Sequence, residues 1–256
     1  MKKEFLDEYK EGLKRNMNYP STPLTEKDME SLPEAVKNYL RYTGCVGKER
    51  INNVVINFDG QLRSSPSGKW MQLKVRQASF FDLPTRLFYI RASMMGIPAR
   101  GLHFYKNANA SMRIKVLSLF PIIDEKGPVM DRSETVTFFN DMCLLAPATL
   151  LDPAIEWTVK DSLIVNGRFT VNGITVSADL YFNKEGQLIN FISTDRACYA
   201  GKGNYRYAPW STPVKEYGSF SGRCIPIEAE AIWQFPEGDF CYGIFKVKEL
   251  QYNLNK

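Results

Sequence analysis

Apolar residues alternate with polar residues over most of the chain beyond residue 50. The alternation begins at Val54, Ile56 and Phe58, and it is still present at Trp233 and Phe235 near the end of the chain. Successive side chains of a strand point to opposite faces of a sheet, so a period of about two residues is typical of strands that bury one face. The pattern therefore predicts a β-rich protein.

Turn signals divide the second half of the chain into a meander. Asn166-Gly167 and Asn172-Gly173 are typical of two-residue hairpin turns, and the segment from Asn183 to Gly186 is typical of a longer turn. The strands that these turns predict are Glu156 to Val165, Arg168 to Val171, Ile174 to Phe182 and Leu188 to Tyr199. The later alternation predicts strands at Val214 to Phe220, Ile227 to Phe235 and Phe240 to Tyr252.

Helical spacing is found in three stretches. Residues 2–15 carry apolar residues on one face and charges elsewhere, which predicts an amphipathic helix. A second helix is expected to start near Ser31 and to end before Gly44, because glycine suits the left-handed position that follows a helix. The segment from Arg132 to Leu151 lacks alternation and predicts a third helix that Pro147 ends or kinks.

Together these elements predict a mainly β (α+β) fold. We expect one large curved antiparallel sheet, half-barrel-like, with two or three helices and about nine to eleven strands, near the upper range for open sheets. A chain of 256 residues is long enough for one large β domain. Residues 1–24 are expected to form an N-terminal helix and connector, and residues 25–256 a single β-rich domain.

Positive charge is concentrated in one segment. The chain has a net charge of +5, but residues 60–123 contain ten basic residues and one acid, which gives that segment +9. In the strands predicted there, the basic and aromatic residues fall opposite the apolar positions. We expect a solvated basic sheet face. Its positive charge is either balanced by acidic residues elsewhere in the chain, or it meets an anionic lipid head group or an acidic partner. Nucleic acid is disfavoured, because no nucleic-acid-binding motif accompanies the charge.

Targeting and membrane signals are weak. Acidic residues interrupt the N-terminus, so a signal peptide is not expected. The most apolar stretches, Val116 to Ile123 and Met142 to Leu151, fall short of the ~20 residues that span a bilayer. The chain as written predicts a soluble cytoplasmic protein, with a trimmed leader or membrane anchor and the oligomeric state left open.

Residue types that carry catalysis or bind metals are sparse. His103 is the single histidine, and the five cysteines are widely spaced without a Cys-x-x-Cys pair. Nucleophile elbows, zinc-protease motifs and phosphate-binding loops do not occur in the sequence. The sequence therefore predicts no catalytic residue, metal site or cofactor, and it favours a binding module over an enzyme.

Other features predict an apolar cavity. The strand predicted from Leu188 to Tyr199 has apolar residues on both faces, which is typical of a strand that lies between two layers. Aromatic residues make up 13% of the chain, enough to line such a space. A lipid or another hydrophobic small molecule is the expected partner, and the candidate ligand-binding residues include Trp70, Arg76, Arg91 and Trp233.

Three charged residues complete the candidate set. Glu134 lies in the first turn of the predicted third helix, where an acid complements the helix dipole. Asp195 and Arg196 are neighbours on a predicted strand, so their side chains should point to opposite faces. We expect Glu134 to pair with Arg196, either as a structural salt bridge or as part of a site. If all three meet in one cleft, the alternative function is an enzyme that uses carboxylates and arginine.

Several motifs in this order resemble a bacterial family catalogued as a domain of unknown function. The resemblance spans roughly Leu32 to Tyr252, and relatives often begin with membrane-spanning segments where this chain has its N-terminal helix. The motifs are Leu32-Pro33-Glu34, Tyr39-Leu40-Arg41-Tyr42-Thr43-Gly44, Gly68-Lys69-Trp70, Glu134, Pro147-Ala148-Thr149-Leu150-Leu151 with Trp157, Thr194-Asp195-Arg196, Thr212-Pro213 with Tyr217, and Gly238-Asp239-Phe240 with Tyr242 and Phe245.

The predicted architecture is also similar, more loosely, to the half-barrel of outer-membrane lipoprotein carriers. Those proteins fold a curved sheet around an apolar cavity that holds acyl chains, with helices as a lid. The resemblance implies a binding module for a hydrophobic or lipid-like ligand. The basic segment leads us to expect that this ligand carries an anionic group. Because fold does not determine function, the similarity supports the charge and cavity arguments without replacing them.

Overall fold

The computed structural model describes residues 1–16, 22–94, 96–117, 120–201 and 203–255. Within these residues there are three α-helices: α1 (Lys2–Asn16), α2 (Glu34–Tyr42) and α3 (Pro128–Leu145). Two short 3-10 helices, Lys27–Met29 and Pro147–Leu151, precede α2 and follow α3. The remaining elements are strands, so the fold is mainly β with a few helices, as predicted.

The strands follow one another in two runs separated by α3. The first run contains β1 (Asn53–Leu62), β2 (Met71–Phe80), β3 (Thr85–Met94), β4 (Ile97–Lys106), β5 (Asn109–Val116) and β6 (Phe120–Lys126). The second run contains β7 (Ile155–Asp161), β8 (Ile164–Val171), β9 (Ile174–Phe182), β10 (Leu188–Ser193), β11 (Ala197–Gly201), β12 (Asn204–Tyr207), β13 (Trp210–Ser211), β14 (Val214–Phe220), β15 (Arg223–Phe235) and β16 (Gly238–Tyr252).

One antiparallel sheet joins the two runs. Its strand order is β6-β5-β4-β3-β2-β1-β16-β15-β13-β10-β9-β8-β7, with β14 also paired to β15. The C-terminal strand β16 lies between β1 and β15, so the last strand in sequence closes the gap between the two meanders. The sheet curls into a half-barrel, as expected. The described residues form 16 strands, 14 of them in this sheet, which is more than the predicted nine to eleven.

Helix α3 runs through the inside of the curl. Its apolar residues are distributed around the whole helix, and every residue from Ser133 to Leu145 is buried. A helix that has apolar residues on all sides is typical of a protein core, and its buried polar residues need partners there. The prediction that Pro147 ends this helix is confirmed, but the helix begins earlier than predicted, at Pro128, where a proline suits the first turn.

The outer face of the sheet is covered by α1. Phe5 and Leu13 pack with Phe80, Leu87 and Leu102 into a second apolar cluster. The prediction that the basic strands present a solvated face is therefore wrong over this part of the sheet. Acidic residues on α1 neutralise the outer cations instead, through the pairs Arg113–Glu4, Lys106–Glu8 and Lys106–Glu11.

The start of α2 differs from the prediction by about three residues. The helix begins at Glu34 after Pro33, and Ser31 does not cap it. A capping contact of the same kind occurs earlier, where the backbone N–H and the hydroxyl of Thr25 both donate to Asp28 Oδ2 at 2.8 Å. Gly44 has φ +64°, which confirms the expected left-handed residue after the helix.

One of the two predicted hairpin turns is not a turn. Asn172-Gly173 connects β8 and β9 with positive φ at both residues, as predicted. Asn166-Gly167 instead lies inside β8. A Cβ atom on Gly167 would come within 2.8 Å of the Phe139 ring, so the glycine there makes room for a side chain of α3.

The segment predicted as one strand from Leu188 to Tyr199 is two strands. β10 ends at Ser193 and β11 begins at Ala197. The pairing of β10 with β9 shifts register between Leu188 and Asn190, and Ile189 is 43% exposed. The apolar residues on both faces therefore reflect a bulge and not, at this position, a strand buried between two layers.

Candidate functional site

A cavity of about 170 Å³ lies between α3 and the inner face of the sheet. Polar side chains share its lining, among them Arg86, Glu134, Asp141 and Arg196. Apolar walls with a few convergent polar groups are typical of small-molecule sites. The apolar walls come from β1, β3, β16 and α3, and they include Phe58, Phe88, Ile90, Leu144, Phe245 and Val247.

Helix α3 turns a polar stripe toward this cavity. Glu134, Thr137 and Asp141 follow one another at intervals of three and four residues, which places them on one face of the helix. All three line the cavity. A buried carboxylate is costly unless it is paired, so Glu134 and Asp141 need cationic partners from the sheet or the loops.

Arg86 on β3 supplies the first partner. It occupies the same face of the strand as Phe88, two residues on, and it is 6% exposed. Its Nε donates to Asp141 Oδ2 at 2.6 Å, and its Nη1 donates to Glu134 Oε2 at 3.2 Å. Gln77 Nε2 donates to the same oxygen of Asp141 at 2.7 Å. One arginine thus holds both buried carboxylates.

Arg196 approaches Glu134 from the segment between β10 and β11. Its guanidinium carbon lies 4.6 Å from the centre of the Trp210 ring and 5.4 Å from that of Trp233. Nε donates to Thr137 Oγ1 at 3.2 Å, and Nη2 lies 4.0 Å from Glu134 Oε1. Stacking on two aromatic rings fixes the plane of a guanidinium, so its N–H groups point out along the edge, where a planar anion can be recognised.

Tyr242 on β16 links the arginine to the tryptophan beside it. Trp210 Nε1 donates to Tyr242 Oη at 3.1 Å, and Arg196 Nη1 donates to the same oxygen at 3.4 Å. Donor–acceptor distances in protein hydrogen bonds are mostly ~2.7–3.2 Å, so the arginine contact is a long one. Arg196 therefore has N–H groups whose hydrogen-bonding capacity these contacts do not fill.

The two carboxyls of the cavity differ in acidity. Burial by itself would raise the pKa of Glu134, but the contact with His103 and the charges of Arg86 and Arg196 lower that pKa to about 2. His103 Nδ1 lies 3.6 Å from Glu134 Oε1. Burial raises the pKa of Asp141, despite the opposing charge of Arg86. Glu134 is thus the firmly ionised member, and Asp141 is the one closer to neutrality.

The structure brings together three of the seven sequence-predicted site residues. Glu134 and Arg196 form the expected pair, at 4.0 Å, with Trp233 stacked on the arginine. Asp195 points the other way, as predicted, although it lies between two strands and not on one. Its carboxylate accepts from Arg132 Nη2 at 2.5 Å and from the backbone N–H of Ser177 at 2.7 Å.

Trp70, Arg76 and Arg91 lie away from Glu134 and Arg196. The ring of Trp70 lies 4.5 Å from the guanidinium carbon of Arg63, in the loop before β2. Arg76 lies on the outer face, with its guanidinium carbon 5.5 Å from the centre of the Tyr9 ring of α1. Arg91 is exposed on the same outer face.

Several residues of the cavity were not selected from the sequence. Arg86 was counted in the basic segment, although its spacing from Phe88 and Ile90 indicates the inner face. Asp141 follows Glu134 by seven residues, a spacing that places both on one helix face. Tyr242 comes from a distant strand, so only the sheet order brings it to Arg196.

No group of three or more metal-ligating side chains is found among the described residues. Within the same residues, no helix is both long and apolar enough to cross a bilayer. Burial raises the pKa of four of the five cysteine thiols, Cys45, Cys143, Cys198 and Cys241, so at neutral pH these thiols stay protonated and weakly nucleophilic.

Comparison with solved structures finds similar folds at low sequence identity. A DUF1329 family protein from Desulfovibrio piger is 10% identical with a TM-score of 0.49, and the match covers 87% of this chain and 93% of that one. A LolA superfamily protein from Nitrosomonas europaea is 8% identical with a TM-score of 0.47, covering 85% and 93%. No curated protein matches the chain at a significant level.

The family models give a direct assignment. The matched segment starts before α2 and ends within β16, so it contains the sheet, α3 and the cavity. The chain belongs to the family of unknown function DUF6544, whose model matches residues 22–245.

Proposed function

We propose that this chain is a binding module for a hydrophobic small molecule that carries an anionic group. The apolar part of the guest lies between α3 and the inner face of the sheet, and its anionic group meets Arg196. The observation that carries the proposal is a cavity whose walls are mostly apolar and whose charged end includes an arginine with unfilled hydrogen-bonding capacity.

The size of the cavity limits the guest. An apolar protein cavity of about 150 Å³ binds benzene, so the 170 Å³ here accepts a group of similar bulk or a short aliphatic chain. Drug-sized ligands occupy about 300–1,000 Å³. A longer acyl chain therefore requires α3 or the neighbouring strands to move apart, or it extends out of the cavity into solvent.

The contacts of the two arginines support an anionic group. Arg86 and Arg196 are balanced by Glu134 and Asp141 when both carboxyls are ionised. Burial raises the pKa of Asp141, although the charge of Arg86 opposes that shift. Arg86 is engaged by both carboxylates, whereas Arg196 donates to Thr137 Oγ1 at 3.2 Å and makes only long contacts to Tyr242 and Glu134. Arg196 is therefore the cation that a guest carboxylate or phosphate would reach.

The test compares two guests of the same length that differ in head-group charge. Hexanoate and hexanol are titrated into the isotopically labelled chain, and binding is followed by amide chemical shifts. We expect hexanoate to bind more tightly and Arg196→Met to weaken hexanoate by about tenfold, the value of one charge-assisted hydrogen bond, with hexanol changed by less than about twofold. Equal affinity for both guests, or no shifts around the cavity, would refute the proposal.

A filled cavity provides the matched control. Ala231 lines the cavity on β15, and Ala178 on β9 is equally buried in the packed core but does not line it. We expect Ala231→Leu to abolish binding of both guests, since the added side chain occupies their space. Ala178→Leu should leave the binding of folded protein unchanged. Guest binding that survives in Ala231→Leu would locate the site elsewhere.

A second candidate function is an enzyme that uses carboxylates and arginine. The observation that favours it is the opposite pKa shift of Glu134 and Asp141, because acid–base pairs in active sites show such a split. Asp195 does not take part, since Arg132 and Ser177 engage its carboxylate. Mass spectrometry of a guest after incubation separates the two functions: recovery of unchanged guest supports binding, and conversion that Glu134→Gln abolishes supports catalysis.

A further inference from the structure

One end of the sheet exposes an unusual group of apolar side chains. Single exposed apolar residues are common on protein surfaces, but clustered ones mark interaction sites. Among the described residues, seven large apolar side chains are exposed, and four of them lie where β4 begins, β5 ends and β6 begins. We name these four the rim: Ile97, Leu117, Phe120 and Ile122, which are 44%, 50%, 64% and 51% exposed.

The rim is a contiguous surface because two hairpins end at the same place. Ala99 pairs with Val116, and Val116 pairs with Phe120, so the starts of β4 and β6 flank the end of β5. The backbone N–H of Leu117 donates to Pro98 O at 2.9 Å, which joins the β5 end to the β4 start. The rim side chains therefore lie together and not scattered along the sheet.

A row of cations crosses the outer face beside the rim. Arg91 pairs with Arg100, and Arg100 pairs with Lys115, so the three side chains are direct cross-strand neighbours on β3, β4 and β5. Like charges placed directly opposite one another destabilise a sheet. Among the described residues, no carboxylate lies within 4.0 Å of any of the three, in contrast to Lys106 and Arg113 under α1. We name these three the cation row.

We propose that the rim and the cation row together dock the chain on the surface of an anionic lipid bilayer. Apolar side chains at hairpin ends enter the interface, and adjacent arginines and lysines meet the phosphates of the head groups. Charge complementarity selects this occupant, because the bilayer supplies both the apolar layer for Phe120 and the missing anions for the cation row. A surface depression lined by Lys74 and Arg91 adjoins the cation row on the side of β2, where Asp59 pairs with Lys74 at 3.3 Å.

The inner face connects the rim to the cavity. Ile90 lines the cavity and heads a row of paired positions that passes through Gly101 and Ile114 to Ile123. The next row passes from Ala92 through Ala99 and Val116 to Phe120 at the rim. If the proposed function holds, this apolar face is the route by which a guest moves between bilayer and cavity. Docking on the bilayer does not depend on this route or on the proposed function.

Vesicle flotation tests the docking. Ligand-free chain is mixed with vesicles of phosphatidylcholine alone, or of phosphatidylcholine containing about 30% phosphatidylglycerol. We expect flotation with the anionic vesicles only, and loss of that flotation at high salt because the charge interaction is screened. Equal flotation with both vesicle types, or none with either, would overturn the proposal. Absence of flotation with both vesicle types would leave an acidic protein as the alternative partner of the rim.

A variant of the cation row and a matched control test whether these cations contact the bilayer. Since each Lys or Arg near an anionic surface contributes about fivefold in affinity, removing the cation row should weaken binding by about a hundredfold. The variant is Arg91→Gln with Arg100→Gln and Lys115→Gln. Its control removes the same charge from exposed lysines elsewhere, as Lys27→Gln with Lys160→Gln and Lys184→Gln.

The apolar part is tested in the same way. Phe120→Ser with Ile122→Ser removes two rim side chains, and Val159→Ser with Ile189→Ser removes two exposed apolar side chains from other strands. We expect only the rim variant to lose flotation. A control that weakens flotation as much as its partner would overturn the assignment. Ala231→Leu should float normally, so a failure of the guest-binding proposal remains distinguishable from a failure of this one.

Discussion

Arg86 Nε on β3 lies 2.6 Å from Asp141 Oδ2 on α3, and this buried ion pair ties the central helix to the sheet. The same guanidinium reaches Glu134, which lies about two turns earlier on the helix, at 3.2 Å. The interior of the half-barrel is therefore held by a charged cluster as well as by apolar packing. The cluster borders the cavity, so its stability and the proposed binding depend on the same residues.

Removal of Arg86 is expected to destabilise the fold strongly. Arg86→Met leaves two buried carboxyls without their main partner, and breaking a buried pair in this way costs about 3–5 kcal/mol of the free energy of unfolding. The control is Arg168→Met, which removes an exposed arginine paired with Glu156 at 3.3 Å. A surface pair of this kind is worth about 1 kcal/mol or less. Urea unfolding of both variants measures the difference, and equal losses would contradict the buried-cluster account.

Acid should weaken the fold through Glu134. Its pKa is about 2 in the folded chain, below its ordinary value of 4.5, so only the unfolded chain takes up a proton there as pH falls between those values. The contribution of Glu134 is complete above about pH 5 and is lost toward about pH 2.

The stability difference between the wild type and Glu134→Gln isolates this contribution. This stability difference should shrink by roughly 3 kcal/mol across that pH range, as the lowering of the Glu134 pKa from 4.5 to about 2 implies. Asp141 acts in the opposite direction, because burial raises its pKa and ionisation disfavours the fold as pH rises. A difference that stays constant with pH would show that Glu134 is not held ionised by its neighbours.

Much of the fold follows from the sequence because strand alternation and helix periodicity are local signals. The helix ended by Pro147, the Asn172-Gly173 hairpin and the curved antiparallel sheet were predicted on that basis and are confirmed. Asn166-Gly167 has the same local signal, but its glycine is needed for packing and not for a turn. Its glycine accommodates the Phe139 and Trp157 rings, a contact that depends on how α3 packs and that no local pattern contains.

That difference between the two glycines is testable. Gly167→Ala places a Cβ atom 2.8 Å from Phe139 Cζ and 2.9 Å from Trp157 Cζ3, so we expect both rings to shift and the near-ultraviolet circular dichroism to change. Gly173→Ala meets no atom within 4 Å and strains only the backbone at φ +81°. It should lower stability by about 1 kcal/mol and leave the aromatic spectrum unchanged. Identical spectra for both variants would contradict the packing role of Gly167.

The candidate site was predictable in part. Glu134 and Arg196 could be paired from the sequence because a buried charge requires a partner, and the pair is present. Arg86 follows the strand period but lies within the basic segment, and Asp141 follows the helix period seven residues after Glu134. The placement of Tyr242 and Trp210 around Arg196 requires the order β16-β15-β13, which no local signal specifies.

The division of the chain at residue 24 stays a prediction, and the contacts of α1 provide its test. A Cβ atom on Gly12 would come within 2.4 Å of the buried Phe80 ring on β2. We expect Gly12→Ala to lower the free energy of unfolding of the whole chain by about 1–3 kcal/mol, although alanine favours a helix. If α1 unfolds independently of residues 25–256, the variant will change helix content without shifting the main unfolding transition.

A Gly12→Ala and Phe80→Leu double-mutant cycle separates packing from propensity. The smaller leucine makes room for the new methyl group, so the two changes together should cost less than their sum. Additive costs would show that Gly12 is not in contact with Phe80.

The most direct measurement is a crystal structure of the chain grown with hexanoate. The account predicts a guest between α3 and the inner face of the sheet, with its carboxylate within hydrogen-bonding distance of the Arg196 guanidinium and its tail against Ile90 and Phe245. A structure in which the chain's own side chains fill this space, or in which the guest is bound elsewhere, would contradict it.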